Sequence, residues 1–206
     1  MALSRVSSGI TTSFTGSYVA GDLLVIHAIN TGGAATPLLP TGYTSISSAT
    51  SSFGMAAFYK FATSASETFP TITNRTASSW AIYRGAAATP FVGTVGANGV
   101  SSTVTYSGLT IQNPNVDWVL TFGAANTSAG ALGSHPSTKT TLVVEDIASN
   151  YEVAIFDSNG PVTSFSFNTK PLSASTSWLT KTTELVAGPD VPVGPATPTN
   201  LFFEMF

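Results

Sequence analysis

Few side chains in this sequence could carry out acid-base chemistry. Two histidines occur, His27 within the apolar run VIHAI and His135 within the polar run GSHPST. A serine-histidine-carboxylate site needs a serine and an acid placed around one histidine, and no GxSxG nucleophile motif is present. A single histidine inside an apolar strand is more typical of a structural hydrogen bond. We therefore expect His27 to be buried and to have no catalytic role.

The acidic residues Glu145, Asp146, Glu152 and Asp157 lie close together in the sequence. Paired carboxylates hydrolyse glycosides when they face each other across a cleft, but adjacent strand residues point to opposite faces. The stretch DSNG at 157–160 could form one edge of a Ca²⁺ site, yet it lacks the further ligands of an EF-hand loop. A tight Asp/Asn-Gly turn is the preferred interpretation. We expect no enzyme activity, no cofactor and no bound metal.

The composition excludes other classes of function. The 206 residues include no cysteine, so disulfides and thiolate sites are excluded. Charged residues make up 8% of the chain, against about 25% in ordinary soluble domains. The net charge of −3 argues against a phosphate-binding surface, and we expect no nucleic-acid partner. No apolar run has the length of a signal peptide core or a membrane helix, and we expect no membrane association.

The elements that position these residues are predicted to be short strands. Segments rich in β-branched and aromatic residues are bounded by Gly, Pro, Asn, Asp and Ser, and no helical stretch interrupts them. Their spacing predicts an all-β fold, an antiparallel β-sandwich or jelly roll. The predicted strands are 22–29, 53–62, 68–73, 78–85, 102–109, 117–124, 138–147, 152–157, 162–169 and 176–185. In 162–169, alternation predicts one buried face that carries Phe165 and Phe167.

One phrase of the sequence occurs twice. GDLLVIHAIN at 21–30 resembles VDWVLTFGAANT at 116–127, and further matches follow in the same order at shifts of 95 to 98 residues. They pair Asp22 with Asp117, Pro40 with Pro136, Phe53–Phe58 with Tyr151–Phe156, Phe69 with Phe165, and Trp80 with Trp178. The collinear matches predict two related four-stranded repeats, at about 20–98 and 99–186, packed face to face.

The matched residues have expected structural roles. Asp22 and Asp117 begin equivalent strands, where a carboxylate can accept backbone N–H groups of the preceding turn. Trp80 and Trp178 are expected in the core, with a carbohydrate-stacking platform as the alternative.

The succession GDLLVIHAI, PTGYTSI, AAFYKFAT and SSWAIYRG, followed by a weaker round from DWVLTFGA, resembles a known group of domains. These are the β-sandwich or jelly-roll structural domains of tailed-bacteriophage virion proteins, in head decorations and tail appendages. The resemblance covers about residues 20–185, with Tyr43 where an aromatic such as Trp is usual. It implies a virion protein assembled in the host cytoplasm, a capsid decoration or minor head protein bound to major capsid or tail subunits. A tail-fibre or adhesin module that binds host-surface glycans is the alternative.

The sequence changes character after the sandwich domain at 1–186. Residues 187–200 are proline-rich and are expected to form an extended linker. The next six residues, LFFEMF, include the apolar side chains Leu201, Phe202, Phe203, Met205 and Phe206. Free apolar segments aggregate, so we expect this one to anchor the chain to a neighbouring subunit, with a homo-oligomer such as a trimer as one outcome. Folding back onto its own sandwich is the alternative. Under the anchoring hypothesis, a chain ending at Ala187 stays folded but loses its attachment.

Overall fold

The structure is a computed structural model that describes residues 2–126, 132, 141–148 and 150–189, with Val143 the only described side chain between 141 and 148. It consists of strands joined by loops. The strands are β1 (Ser4–Gly9), β2 (Leu23–Asn30), β3 (Thr44–Thr50), β4 (Gly54–Phe61), β5 (Ala77–Arg84), β6 (Ala86–Tyr106), β7 (Trp118–Ala125), β8 (Thr141–Ala148), β9 (Tyr151–Asp157) and β10 (Asn168–Ala187). No helix in these described ranges could cross a membrane.

The strands form two antiparallel sheets that share a core. The first sheet has the order β1-β5-β2-β4-β3 and the second has the order β6-β10-β7-β9-β8. Alternate side chains of each sheet point inward and form one hydrophobic cluster, which includes Leu23, Val25 and Ile29 of β2 and Leu120, Phe122 and Ala124 of β7. The predicted antiparallel β-sandwich is confirmed. Each sheet has five strands, one more than the predicted repeats contain.

The two sheets correspond strand by strand. Their orders become identical when β1 to β5 are matched with β6 to β10. β3 has a bulge between Ser45 and Ser47, and β8 has one between Leu142 and Val144, 97 residues later. The sheets also face each other in reversed order, with β1 against β8 and β3 against β6. This arrangement is the one that the duplication hypothesis requires. The duplication itself stays a prediction, and so does the jelly-roll topology.

Part of the outer face of each sheet is also buried, under loops. Leu24, Ile26 and Ala28 of β2 point away from the partner sheet and pack beneath Phe69 and Ile72. Both faces of β2 are therefore buried, which explains its continuous apolar sequence. On the second sheet, loop residues that include Val162 and Phe165 cover Val119.

Two predicted strands are wrong. Residues 68–73 and 162–167 are loop segments, apart from an isolated bridge between Leu109 and Phe165. Phe69, Ile72, Val162 and Phe165 are buried there because the loops cover the sheets. Phe167, predicted on the buried face with Phe165, is 62% exposed.

Both matched tryptophans are buried, as expected of core residues, with Trp80 0% and Trp178 4% exposed. Their match does not hold along the central strands. Trp80 pairs with Ile26 of β2, and Trp178 pairs with Ala125 of β7. At the shift of 95 residues that relates β2 to β7, Ala125 corresponds to Asn30, four residues after Ile26. The last strand of the second sheet is therefore displaced by four residues relative to the sequence match.

The tryptophans agree instead in how each meets an edge strand. Trp80 pairs with Gly9 of β1, and Trp178 pairs with Gly99 of β6. Each indole N–H donates to the residue two places beyond that glycine. The Trp80 acceptor is the carbonyl of Thr11 at 3.1 Å, and the Trp178 acceptor is the hydroxyl of Ser101 at 3.0 Å.

Candidate functional site

His27 lies in the core between the sheets. Its side chain is fully buried, and its Nδ1–H donates to the carbonyl oxygen of Ala154 on the facing sheet at 3.2 Å. Burial lowers the pKa of His27 to about 3, because the imidazolium would lose its hydration. The ring is therefore neutral at pH 7 and bridges the two sheets. The prediction of a buried structural His27 is confirmed.

An ion pair between partly buried Arg5 and buried Asp157 also connects the sheets. Asp157 at the end of β9 is fully buried, and Nη1 of Arg5 donates to both its carboxylate oxygens at 2.9 Å. The Tyr83 hydroxyl donates to Oδ2 of Asp157 at 3.1 Å. Burial raises the pKa of Asp157 even though Arg5 opposes the shift, and burial also raises the pKa of Tyr83. Because Arg5 and Tyr83 belong to one sheet and Asp157 to the other, these groups hold the sandwich together.

Asp157 also begins the turn at 157–160. The backbone N–H of Asn159 donates to Oδ1 of Asp157 at 3.0 Å, and Asn159 has a φ of 45°. These features fit the predicted Asp/Asn-Gly turn. Arg5 and Tyr83 already occupy the carboxylate that a calcium ion would need. Across the described ranges, no group of three or more His, Asp or Glu side chains is placed to hold a metal.

Glu152, the other described acid of this stretch, does not form a catalytic pair with Asp157. Glu152 lies near the opposite end of β9, is fully buried, and accepts a hydrogen bond from the backbone N–H of Leu132 at 2.6 Å. Positions 152 and 157 point to opposite faces of the strand. The side chains of Glu145 and Asp146, and the whole of His135, lie outside the described residues.

Asp22 organises the turn that precedes β2. Its Oδ2 accepts the backbone N–H of Val19 at 2.8 Å, which confirms the predicted role in the preceding turn. The guanidinium of Arg84 donates to both carboxylate oxygens, at 2.9 Å from Nε and 2.7 Å from Nη2. This bidentate pair raises the pKa of Arg84. The carboxylate thus ties the start of β2 to the end of β5.

Asp117 has the corresponding place before β7 but different partners. Its Oδ2 accepts the side-chain amide of Asn113 at 2.9 Å, and its Oδ1 accepts the backbone N–H of Ala187 at 2.8 Å. Nearby Glu184 is also buried and accepts the backbone N–H groups of Gln112 and Asn113. Burial raises the pKa of Glu184, and the Asp117 carboxylate raises it further. Asp117 therefore fixes the point at which β10 ends.

Two clefts flank this end of β10. The larger has a volume of about 790 Å³ and lies beside Asp117, while the smaller, of about 340 Å³, lies beside Asp22 and Arg84. Gly188 and Pro189 line both clefts. The Gly188 N–H donates to the carbonyl of Gly85 at 2.7 Å, which holds the chain between them. Residues 190–206, here called the tail, follow Pro189 in the sequence and lie outside the described residues.

The larger cleft is mostly apolar. Among its lining residues, Leu3 and Trp118 are 7% and 5% exposed and Val116 is 52% exposed. Pro161 and Pro189 add further apolar surface. Asp117 is the one charged residue that lines it, and hydrogen bonds occupy both of its carboxylate oxygens. Such a cleft suits an apolar ligand or peptide segment.

Sequence reasoning did not identify this cleft. Its walls come from four separate stretches, around residues 2–3, 113–118, 160–161 and 187–189. The ion pairs could be anticipated only in general terms. Buried charged residues are usually paired, but the sequence does not show which charges are buried. The predicted anchor residues Leu201, Phe202, Phe203, Met205 and Phe206 lie outside the described residues.

The chain was compared with protein-family models, curated proteins and solved structures. No protein-family model, no curated protein and no solved structure matches the chain.

Proposed function

We propose that this chain is a non-enzymatic structural protein of a bacteriophage virion, a capsid decoration or minor head protein that neighbouring subunits hold through residues 201–206. The observation that carries the proposal is the mostly apolar cleft beside Pro189, the last described residue before the tail. The virion assignment comes from the sequence resemblance. The cleft and the tail supply the means of attachment.

The charged groups of the described residues support a structural role. The ion pairs Arg5–Asp157, Lys60–Glu67 and Arg84–Asp22 lie within the sandwich or on its surface loops. His27, Glu152 and Glu184 are buried and hydrogen-bonded. These groups are engaged within the fold, and the surface is left largely neutral and rich in hydroxyl groups, which suits close packing in a particle.

The energetic case for an anchor is favourable in magnitude. Each large apolar side chain contributes roughly 1.5–3 kcal/mol when it is fully buried, so the apolar residues of LFFEMF together offer on the order of 10 kcal/mol before the cost of ordering the segment. Association costs about 4–15 kcal/mol, which is of the same order, so the segment would supply part of the binding free energy and other contacts the rest.

The test is whether the chain is found in purified particles. Virions made by the source of this gene are purified on a density gradient and analysed by mass spectrometry, with and without a stop after Pro189. We expect the full chain in the particles, and we expect the shortened chain to remain folded but absent from them. A full chain that stays in the soluble fraction would contradict the proposal.

A second candidate, the glycan-binding tail-fibre or adhesin module, is supported by one residue. Phe167 is 62% exposed, and the amide of neighbouring Asn168 is held by the Ser166 carbonyl at 2.7 Å. An exposed ring beside polar groups can stack on a sugar. All three tryptophans, the better stacking residues, are buried. Binding to a glycan array that Phe167→Ala abolishes would favour this candidate over the first.

A further inference from the structure

We infer that the larger cleft is the acceptor for residues 201–206 of a second copy of this chain, so that copies are joined by exchanging their tails. This inference rests on the proposed function, because it names the neighbour to which the tail docks. It concerns the cleft lined by Leu3, Val116, Trp118, Pro161 and Pro189.

The cleft and the segment match in size and polarity. A cavity of about 150 Å³ holds one benzene ring, so the cleft of about 790 Å³ has room for several aromatic side chains. The segment LFFEMF offers three phenylalanines and a single charge, Glu204. At the rim, Asn113 and Asn115 are exposed polar residues, which suits the edge of a peptide-binding groove.

The linker favours a second copy over the same chain. Prolines occur at 189, 192, 195 and 198, every third residue, which is the period of a polyproline II helix. Such a linker is semi-rigid and extends about 3.1 Å per residue. If the linker is extended as its sequence predicts, its 12 steps from Pro189 to Leu201 span about 37 Å.

Pro189, from which the linker starts, itself lines the larger cleft. A tail that occupied its own cleft would therefore have to reverse direction within this linker. A second copy needs no reversal. A linker of the predicted extended form would reach a neighbouring copy, and the same contact repeated from copy to copy yields a closed ring or a chain of subunits.

The experiment uses two complementary defects in the full chain. Val116→Asp places a charge on the exposed wall of the cleft and leaves the tail intact, whereas the double variant Phe202→Ser, Phe203→Ser leaves the cleft intact. Val100→Asp is the matched control, because Val100 is a valine exposed to 68% on the edge strand β6, outside the cleft. Molar mass is measured by sedimentation, and folding by thermal unfolding.

We expect the unaltered chain and Val100→Asp to form the same oligomer, and each defective variant alone to be a folded monomer. An equal mixture of the two defective variants should form a one-to-one dimer, because one supplies the tail and the other the cleft. A Val116→Asp variant that does not fold is replaced by Val116→Ser, for which we expect weaker association.

Several outcomes overturn the inference. They are a monomeric unaltered chain, an oligomer that survives the Val116 substitution, a mixture that stays monomeric, and dissociation by Val100→Asp, which would place the interface at β6.

Other outcomes distinguish failure of the proposed function from failure of this inference. If tail-dependent incorporation into virions persists without exchange between copies, the acceptor is a different virion protein, and if exchange occurs but the particles lack the chain, only the virion assignment fails.

Discussion

Nε2 of His27 has no hydrogen-bond partner among the described residues, although Nδ1 is bonded to Ala154. The neighbouring hydroxyl of Ser79, which pairs with His27 across β2 and β5, is in the same situation. A buried polar atom without a partner costs about 1–3 kcal/mol. The centre of the sandwich therefore includes two buried polar atoms whose unfavourable free energy must be compensated by the hydrophobic packing around them.

The lowered pKa of His27 predicts a loss of stability in acid. The unfolded chain binds this proton near pH 6.5 and the folded chain only near pH 3. Between these values the unfolded state binds more protons, so the free energy of unfolding falls by up to about 1.4 kcal/mol per pH unit as the pH decreases. The raised pKa values of Asp157 and Glu184 act in the opposite sense. The folded state binds protons at these acids more readily than the unfolded state, so their contribution to the free energy of unfolding rises as the pH decreases.

The measurement compares the unaltered chain with His27→Leu by urea unfolding at several pH values between 7 and 4. The side chains facing His27, namely Ala57, Ser79 and Phe122, do not titrate in this range. His135 and the carboxylates are common to both proteins, so their effects cancel in the difference. We expect the variant to have the shallower dependence on pH, and equal slopes would contradict the shift.

At the scale of the strands, the sequence predicted the buried ones well. β2, β4, β5, β7 and β9 agree with predictions to within one or two residues, because their apolar and β-branched runs are buried on one or both faces. The edge strands β1 and β3 were missed, since SRVSSG and TSISSAT are mostly polar and their partly exposed faces leave little pattern. Backbone pairing with a neighbour, which the sequence does not display, forms these strands.

The long strand β6 shows the same limit. Only 102–109 was predicted, whereas the strand spans Ala86–Tyr106 and includes Pro90, Gly93, Gly96 and Gly99. Proline and glycine normally end a strand prediction. Here Gly99 accommodates the Trp178 ring, because a Cβ at this glycine would lie 2.9 Å from the ring. The site was equally hidden, because its walls meet only in the folded chain.

The pairing of glycine with tryptophan predicts a strong effect at β1. A Cβ on Gly9 would lie 2.4 Å from the Trp80 ring, which is buried and cannot easily move. We expect Gly9→Ala to lower the free energy of unfolding by about 1–3 kcal/mol, as overpacking does. In a double-mutant cycle with Trp80→Leu, the cost of the alanine should largely disappear. Additive effects in urea unfolding would show that Gly9 is needed for another reason.

At the scale of the molecule, the two sheets depend on each other. One hydrophobic cluster contains the inner faces of both, and the Arg5–Asp157 pair and the His27–Ala154 hydrogen bond also cross between them. Separation would expose these inner faces to water and break the polar links. The sandwich is therefore expected to unfold as one unit.

This dependence predicts the behaviour of the halves. Residues 2–85 and residues 86–189, expressed separately, should each lack the dispersed NMR spectrum of a folded protein, because each would expose the apolar inner face of a sheet. Refolding the two together should restore the spectrum through their shared core. If either half gives a folded spectrum alone, the sheets are independent domains.

Both ends of the described chain reach the same place. Ala2 and Leu3 line the larger cleft together with Gly188 and Pro189, so the first and last described residues are neighbours across it. A guest protein fused before Ala2 or after Pro189 would consequently emerge on the same side of the sandwich, while the loops at the far end stayed uncovered. The domain could equally be inserted into a surface loop of another protein, whose backbone would enter and leave through adjacent points.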